Sequence, residues 1–159
     1  PQEMADLFAG GDLDAVRNTL FNREERNRLE TALPRQKGNV SVRYEQGPLA
    51  VTARGNYFGE IEYRPTNSLA DETFGAKVIL DLDVTFDVTE RVALSVGANN
   101  LLNTFPDKHF CAENACDSSD PRQSALLGNY SSGRFPYSRR VTQFGMNGGY
   151  YYARLRLKL

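Results

Sequence analysis

The chain predicts an all-β fold, the wall strands of a transmembrane antiparallel β-barrel, and three observations predict it. Long stretches alternate apolar and polar residues in twos, which is the period of a strand. The face opposite the apolar one is densely charged, collecting Arg43, Arg54, Glu60, Glu62, Lys77, Asp81, Asp83, Asp87, Arg154, Arg156 and Lys158. Tight turns alternate with long irregular connections, which gathers the long ones on one side, the arrangement of outer-membrane barrels.

Composition narrows the alternatives. A chain of 159 residues with a formal charge of -1 lacks the basic balance that a nucleic-acid binder shows. Its mean hydropathy of -0.51, with no apolar run near ~20 residues, excludes a transmembrane helix but not a barrel, whose strands are only half apolar. The sequence starts at Pro1 without a basic and apolar leader, so we expect it to belong to a longer polypeptide.

Residues 1–33 differ in texture from the rest. Leu13, Val16 and Leu20 share one helical face after Asp12, and Arg23 to Glu30 is a run of helix formers that Pro34 stops. Short helices in an N-terminal loop, on the outer side, are expected. From residue 34 to 159 the pattern is one of about five strands, expected near 38–45, 49–63, 76–87, 91–101 and 149–159.

Val40, Val42 and Tyr44 alternate with Ser41, Arg43 and Glu45, and Gln46-Gly47 offers a turn into Leu49, Val51, Ala53, Gly55 and Tyr57. The same parity continues through Gly59, Ile61 and Tyr63, so one long strand is expected there, followed by a polar loop over 65–74. Val78, Leu80, Leu82, Val84 and Phe86 then alternate with Lys77, Ile79, Asp81, Asp83, Thr85 and Asp87, and Thr89-Glu90 turns into Val92, Leu94, Val96 and Ala98. Asp81, Asp83 and Asp87 do not form a calcium loop, because the glycine for its sharp turn is missing and large apolar residues intervene. In the last stretch Tyr151, Ala153, Leu155, Leu157 and Leu159 oppose Tyr150, Tyr152, Arg154, Arg156 and Lys158.

Span supports a membrane wall. Leu49 to Tyr57, Val78 to Phe86 and Tyr151 to Leu159 each take about eight steps of ~3.4 Å, or roughly 21 Å of height at a tilt of ~40°, against an apolar band of ~25 Å. Tyr44 and Phe86 fall near the short-turn rim, and Tyr57 and Tyr151 near the long-loop rim, as two aromatic girdles require. About five strands cannot close a barrel, since the smallest outer-membrane walls use about eight. The remaining strands are therefore expected elsewhere in the polypeptide.

Residues 104–147 form the longest irregular stretch, too long for mere connection. Within it lie the two cysteines, Cys111 and Cys116. Such a pair reads as a disulfide in an oxidising space and as half a metal site in the cytosol. His109 is the only histidine and no second cysteine pair exists, which leaves zinc short of ligands and favours the disulfide. The tripeptides Asn39-Val40-Ser41 and Asn129-Tyr130-Ser131 match a glycosylation acceptor too common to carry weight.

Three motifs resemble the TonB-dependent outer-membrane receptors over roughly residues 34–159. Pro34-Arg35-Gln36-Lys37-Gly38-Asn39 resembles the approach to a late hairpin of that family. Gly97-Ala98-Asn99-Asn100-Leu101-Leu102-Asn103, with Pro106 after it, resembles its Gly-x-x-Asn-Leu-Phe-Asn signature, and Phe144-Gly145-Met146-Asn147-Gly148-Gly149-Tyr150-Tyr151-Tyr152-Ala153-Arg154 resembles its closing segment. Leu102 replaces the usual Phe, and Leu159 stands where outer-membrane proteins end in an aromatic residue.

The resemblance implies the C-terminal part of a barrel of about 22 strands filled by an N-terminal plug. It also implies uptake of a scarce nutrient such as a siderophore or other chelate, energised through the TonB complex, in the outer membrane of a Gram-negative bacterium. The expected partners are then the plug and remaining strands, TonB, outer-membrane lipid and a small nutrient, with no nucleic acid and no cofactor. No enzymatic role is expected, since neither a nucleophile elbow nor a phosphate loop is present.

Candidate ligand contacts are Tyr130, Arg134 and Tyr137 in the long loop, with Arg139 and Arg140 beside them, because Arg and Tyr supply charge pairing and stacking. Tyr150 and Tyr152 are further candidates, projecting inward near the outer mouth with Phe58, where they either touch ligand or pack against plug and loops. Arg154, Arg156 and Lys158 read as lumen-lining charges. A passive porin, an outer-membrane adhesin and a soluble ligand-carrying barrel are the alternatives.

Overall fold

A computed structural model describes residues 21–112, 116–127 and 135–158. Leu13, Val16, Leu20, the tripeptide at Asn129 and Leu159 lie outside the described residues. In chain order the elements are α1 (Arg23–Glu30), β1 (Lys37–Gln46), β2 (Leu49–Phe58), β3 (Ile61–Tyr63), β4 (Glu72–Phe74), β5 (Lys77–Thr89), β6 (Val92–Asn99), α2 (Pro121–Leu127) and β7 (Tyr150–Leu157). The fold is all-β in class, with antiparallel strands throughout and two short helices among the described residues. No described helix is long and apolar enough to cross a membrane, which leaves strands untouched.

The chain divides into two compact units. One comprises Ile61–Phe74, Lys108–Thr142 and the segment up to Leu33, and the other comprises Pro34–Glu60, Gly75–Asp107 and Gln143–Leu159. We call them the loop unit and the sheet unit.

The sheet unit is a five-stranded antiparallel sheet in the order β1-β2-β5-β6-β7. Its register keeps one parity from edge to edge. Tyr44 faces Val51, Val51 faces Val84, Val84 faces Val96 and Val96 faces Ala153, so the apolar residues of all strands share one face. On the other face Arg54 lies opposite Asp81, Thr85 opposite Ser95, and Ser95 opposite Arg154. A slip of one residue would have mixed the faces. The turns at Gly47 and Glu90 sit at one end of the sheet, and both long connections leave from the other, beside the Phe58–Lys77 and Asn99–Tyr150 pairs.

This apolar face covers no core. The only described hydrophobic residues fully buried in the sheet unit are Ala93 and Ala98, while Val42, Val96 and Leu155 are 63%, 49% and 61% exposed. β1 and β7 each have a neighbour on one side only, so the sheet is open.

One long strand expected over 49–63 is two strands. Ile61 and Tyr63 keep the parity of β2, yet β3 pairs with β4 and both side chains are 2% exposed in the core of the loop unit. The cause is local backbone capture at Gly59. Its N–H donates to Gln36 O at 2.8 Å, and the buried Gln143 amide donates to Gly59 O at 2.6 Å and Gly75 O at 2.9 Å, so one side chain holds both β2 and β5 where they stop pairing. A side chain at Gly59 would meet Gln36 O at 3.0 Å. The expected polar loop over 65–74 consequently contains β4 and a single 3-10 turn at Ser68–Ala70.

Among its described residues the loop unit has two small cores. Ala32, Ile61, Tyr63, Phe74 and Val141 form one; Ala70, Cys111 and Leu126 form the other, with Cys116 and Ala125 packed against it. Asn22 caps α1, its side chain accepting the Glu25 N–H at 2.9 Å. Asn27, 4% exposed, donates to Glu62 O at 2.8 Å and accepts the Arg64 N–H at 3.0 Å, which fastens α1 to β3 by backbone groups rather than by apolar contact. The stretch 104–147 is less irregular than expected: α2 lies within it, and Lys108 pairs with Tyr137 in an antiparallel bridge.

Candidate functional site

On the polar face of the sheet, basic and acidic columns alternate. Arg43 and Arg54 lie on β1 and β2, Asp81, Asp83 and Asp87 on β5, Arg154 and Arg156 on β7, and a shallow concavity is lined by Arg43, Asp83, Thr85, Ser95, Arg154 and Arg156. Few of these charges meet directly. Arg156 approaches Asp87 only at 3.4 Å with both side chains largely exposed, a pair worth little. Asp81 instead accepts from Asn56 Nδ2 at 2.9 Å and the Asn100 N–H at 2.9 Å, and Thr85 and Ser95 hydroxyls meet at 2.7 Å.

Tyr150 and Tyr152 stand together on this face, ring centroids 6.1 Å apart and stacked, with the Arg154 guanidinium 5.6 Å from the Tyr152 ring. Tyr152 crosses β6 to donate its hydroxyl to Asp83 on β5 at 2.7 Å. It can do so because the intervening residue is Gly97, where a Cβ would lie 2.4 Å from the Tyr152 ring. Tyr152 is therefore a tie between three strands, and Tyr150 is the more exposed member of the pair. Gly97→Val is expected to lower stability by about 1–3 kcal/mol through this clash. A shift in denaturation midpoint checks it, with Tyr152→Phe, which keeps the ring and loses the bond, expected to lose only about 1 kcal/mol.

The Asn-Leu-Leu-Asn motif closes the long-connection end of β6. Asn100 and Asn103 both adopt left-handed backbone, with φ of 55° and 54°, a conformation that asparagine tolerates. The Asn100 side chain brackets Thr104, donating to its carbonyl and accepting its N–H, each at 2.7 Å, and Asn103 Oδ1 accepts the Gly149 N–H at 2.8 Å. Gly148, at φ 71°, leaves room for Asn103 and Phe105 where a Cβ would approach within 2.6 Å and 2.7 Å. The two separated motifs of the sequence thus form one clasp.

In the loop unit, Cys111 and Cys116 are joined by a disulfide with Cα atoms 5.2 Å apart. Next to it lies the most buried polar pair of the described residues. His109 Nδ1 lies 2.5 Å from Glu72 Oε2, with side chains 2% and 5% exposed, and Glu72 Oε1 accepts the Phe110 N–H at 2.7 Å. Tyr63 and Phe74 stand edge-on to the imidazole at 6.3 Å and 6.0 Å. Nothing in the sequence marked Glu72 as His109's partner, since 37 residues separate them. The pair sits in a wall of aromatics without an open face, which suits a structural anchor.

Arg23 and Arg64 both hold Asp71. Arg23 donates to its two oxygens at 2.7 Å and 2.5 Å, and Arg64 donates at 3.0 Å. Partial burial pushes the Asp71 carboxyl upward, but the bonds and charge of Arg23 and then Arg64 outweigh it and hold the group below the usual carboxylate range. Because the folded pKa is depressed, its stabilisation is present above the ordinary value of 3.8 and is lost as pH falls below it. Acid titration followed by hydrogen exchange over residues 61–74 is expected to show loosening in that window, and Asp71→Asn to abolish the slope.

Of the predicted contacts, Tyr137 is half-buried and paired in backbone with Lys108, while Arg139 and Arg140 are exposed, Arg140 reaching Glu24 at 3.2 Å. Tyr130 and Arg134 lie outside the described residues. Among the described residues no group of His, Cys, Asp and Glu is arranged to hold a metal ion. Comparison with protein-family models, with curated proteins and with solved structures gave no match.

Proposed function

We propose that this chain forms part of the barrel wall of a TonB-dependent outer-membrane receptor, importing a scarce nutrient such as a siderophore or another chelate. The observation that carries the reading is the five-stranded sheet itself. It aligns every strand's apolar residues on one exposed face, without a core beneath them, against a charged opposite face. Water penalises such a face, and lipid accepts it. Open edges facing lipid would leave backbone groups unpaired, so β1 and β7 continue into further strands of a closed wall. The charged face lines the lumen against a plug, and the long connections face outward. Assignment to this receptor family rather than another barrel rests on the resemblance of the two segments joined in the Asn100–Asn103 clasp to late motifs of that family.

Expression of the whole reading frame tests the proposal. The product should fractionate with outer membranes, migrate differently before and after boiling, and support uptake of a ferric chelate that stops when the proton gradient is collapsed. A product soluble without detergent overturns the wall. A membrane product that passes solutes without energy overturns the receptor and leaves a porin.

A further inference from the structure

We propose that the Cys111–Cys116 disulfide is a redox latch, whose reduction by a dithiol frees α2 from the loop unit and leaves the rest of that unit folded. How little else holds α2 carries the inference. Among the described residues, every hydrogen bond made by 117–127 stays within that segment. Asp120 caps the helix by accepting the Arg122 and Gln123 N–H groups at 2.8 Å and 3.0 Å, and the Asp117 N–H donates to Gln123 Oε1 at 2.8 Å, folding the segment onto itself. None of these bonds reaches a strand.

Apolar contact is equally thin. α2 buries one side chain, Leu126, against Ala70 and Cys111, with Ala125 and Cys116 at the margin. Ala70 belongs to the 3-10 turn and offers only a methyl group. At the surface the Arg122 guanidinium lies 4.2 Å from the Phe110 ring centroid, a contact worth little where both residues are exposed. A helix of seven residues is too short to hold itself together in water, so the covalent bond decides whether α2 stays.

The other end of the bond is anchored without it. The His109 N–H donates to Pro136 O at 2.8 Å, the Phe110 N–H to Glu72 Oε1 at 2.7 Å, and the Ala112 N–H to His109 O at 2.9 Å. Cys111 is therefore fixed from both sides, and Cys116 is the end that can leave. The two cysteines also differ in access, since Cys111 is 7% exposed inside the small core and Cys116 is half-buried at its margin.

This asymmetry directs the chemistry. One thiolate of the dithiol attacks Cys116 Sγ, the S–S bond breaks, and the Cys111 sulfur leaves and takes up a proton, because an apolar core disfavours a thiolate. The second sulfur of the dithiol then attacks the mixed disulfide and releases Cys116 as a thiol. Two electrons and two protons have passed to the protein, and the dithiol departs as a disulfide. The Cys111 thiol stays packed as a small apolar side chain, while Cys116 and α2 come away. The latch does not rest on the membrane reading.

Hydrogen exchange on the full chain in uncharged detergent micelles, with and without dithiothreitol, tests it. Reduction should speed exchange of the Ser124–Leu127 amides by about 10- to 100-fold, the effect of losing a short-loop cross-link. Exchange over Ile61–Tyr63 and Glu72–Phe74 should stay within about twofold, since that part opens separately. Cys116→Ser should reproduce the reduced pattern without reductant, whereas Arg122→Gln should change α2 by less than about fivefold. With glutathione, a monothiol, in place of the dithiol, mass spectrometry should find the mixed disulfide on Cys116. Unchanged exchange at 124–127 in the reduced wild-type chain overturns the latch. So does an equal rise over 61–74, which makes the bond a staple of the whole unit, or a bond that resists the dithiol until denaturant unfolds the chain. A glutathione adduct on Cys111 overturns the direction of attack.

Discussion

On the proposed membrane wall Val96→Arg is expected to lower folding stability in a bilayer by about 2–4 kcal/mol, the cost of an arginine that faces lipid near the midplane. Val96 is an interior position of the apolar column of β6, opposite Val84 on one side and Ala153 on the other. Its neighbour Ser95 faces the charged side, where it bonds Thr85 at 2.7 Å and lies opposite Arg154, so Ser95→Arg is expected to cost only about 1–2 kcal/mol for the lost bond and the like charge. Denaturant titration of both variants in lipid vesicles reads the difference. The contrast between adjacent residues matters more than either value, because it isolates the face from the strand. Equal costs at 95 and 96 would mean that the faces do not differ in solvent.

The second large effect concerns the loop unit. Glu72→Ala removes the partner of a buried imidazole and the acceptor of the Phe110 N–H, and it is expected to cost about 3–5 kcal/mol, as breaking a buried polar pair does. Glu72→Gln can still hydrogen-bond both groups and should cost about 1–3 kcal/mol. Hydrogen exchange on the full chain should show the loss over residues 61–74 and 108–112 and leave β5 and β6 protected. Protection lost equally in both units would show that they unfold as one body.

The sheet was legible because alternation survives in every strand and because the polar face is charged rather than merely hydrophilic. Apart from the strand expected over 49–63, the strand bounds moved by only a residue or two, since Val92–Asn99 and Tyr150–Leu157 carry their own parity. What the pattern could not carry was the break after Phe58. Gly59, Ile61 and Tyr63 continue the parity of β2, and the residue that diverts the chain, Gln143, lies 84 positions from Gly59. Asn27 was hidden in the same way, since a polar residue in a charged helix reads as solvated until its bonds to Glu62 and Arg64 are known.

The site residues divide along the same line. Cys111 and Cys116 were visible because only two cysteines exist and they are close in sequence. Tyr152 was visible as an aromatic on the charged face, but its bond to Asp83 across Gly97 depends on register and makes it a structural tie. Arg139 drew attention as a loop arginine, whereas Phe110, Phe135 and Arg122 did not. The Arg122 guanidinium over Phe110 and that of Arg139 over Phe135 depend on how the loop segments fold back, which no local pattern encodes.

One measurement tests the central claim most directly: nitroxide labels at single introduced cysteines, with collision rates measured for oxygen, which concentrates in lipid, and for a polar nickel chelate, which stays in water. The native cysteines form a disulfide and remain unlabelled without reductant. Labels at Val42, Val84, Val96 and Leu155 in the bilayer-reconstituted protein should collide with oxygen, and labels at Thr52, Thr85 and Ser95 should not. Shielding of the first set from both reagents would place the apolar face in a buried core and contradict the membrane wall.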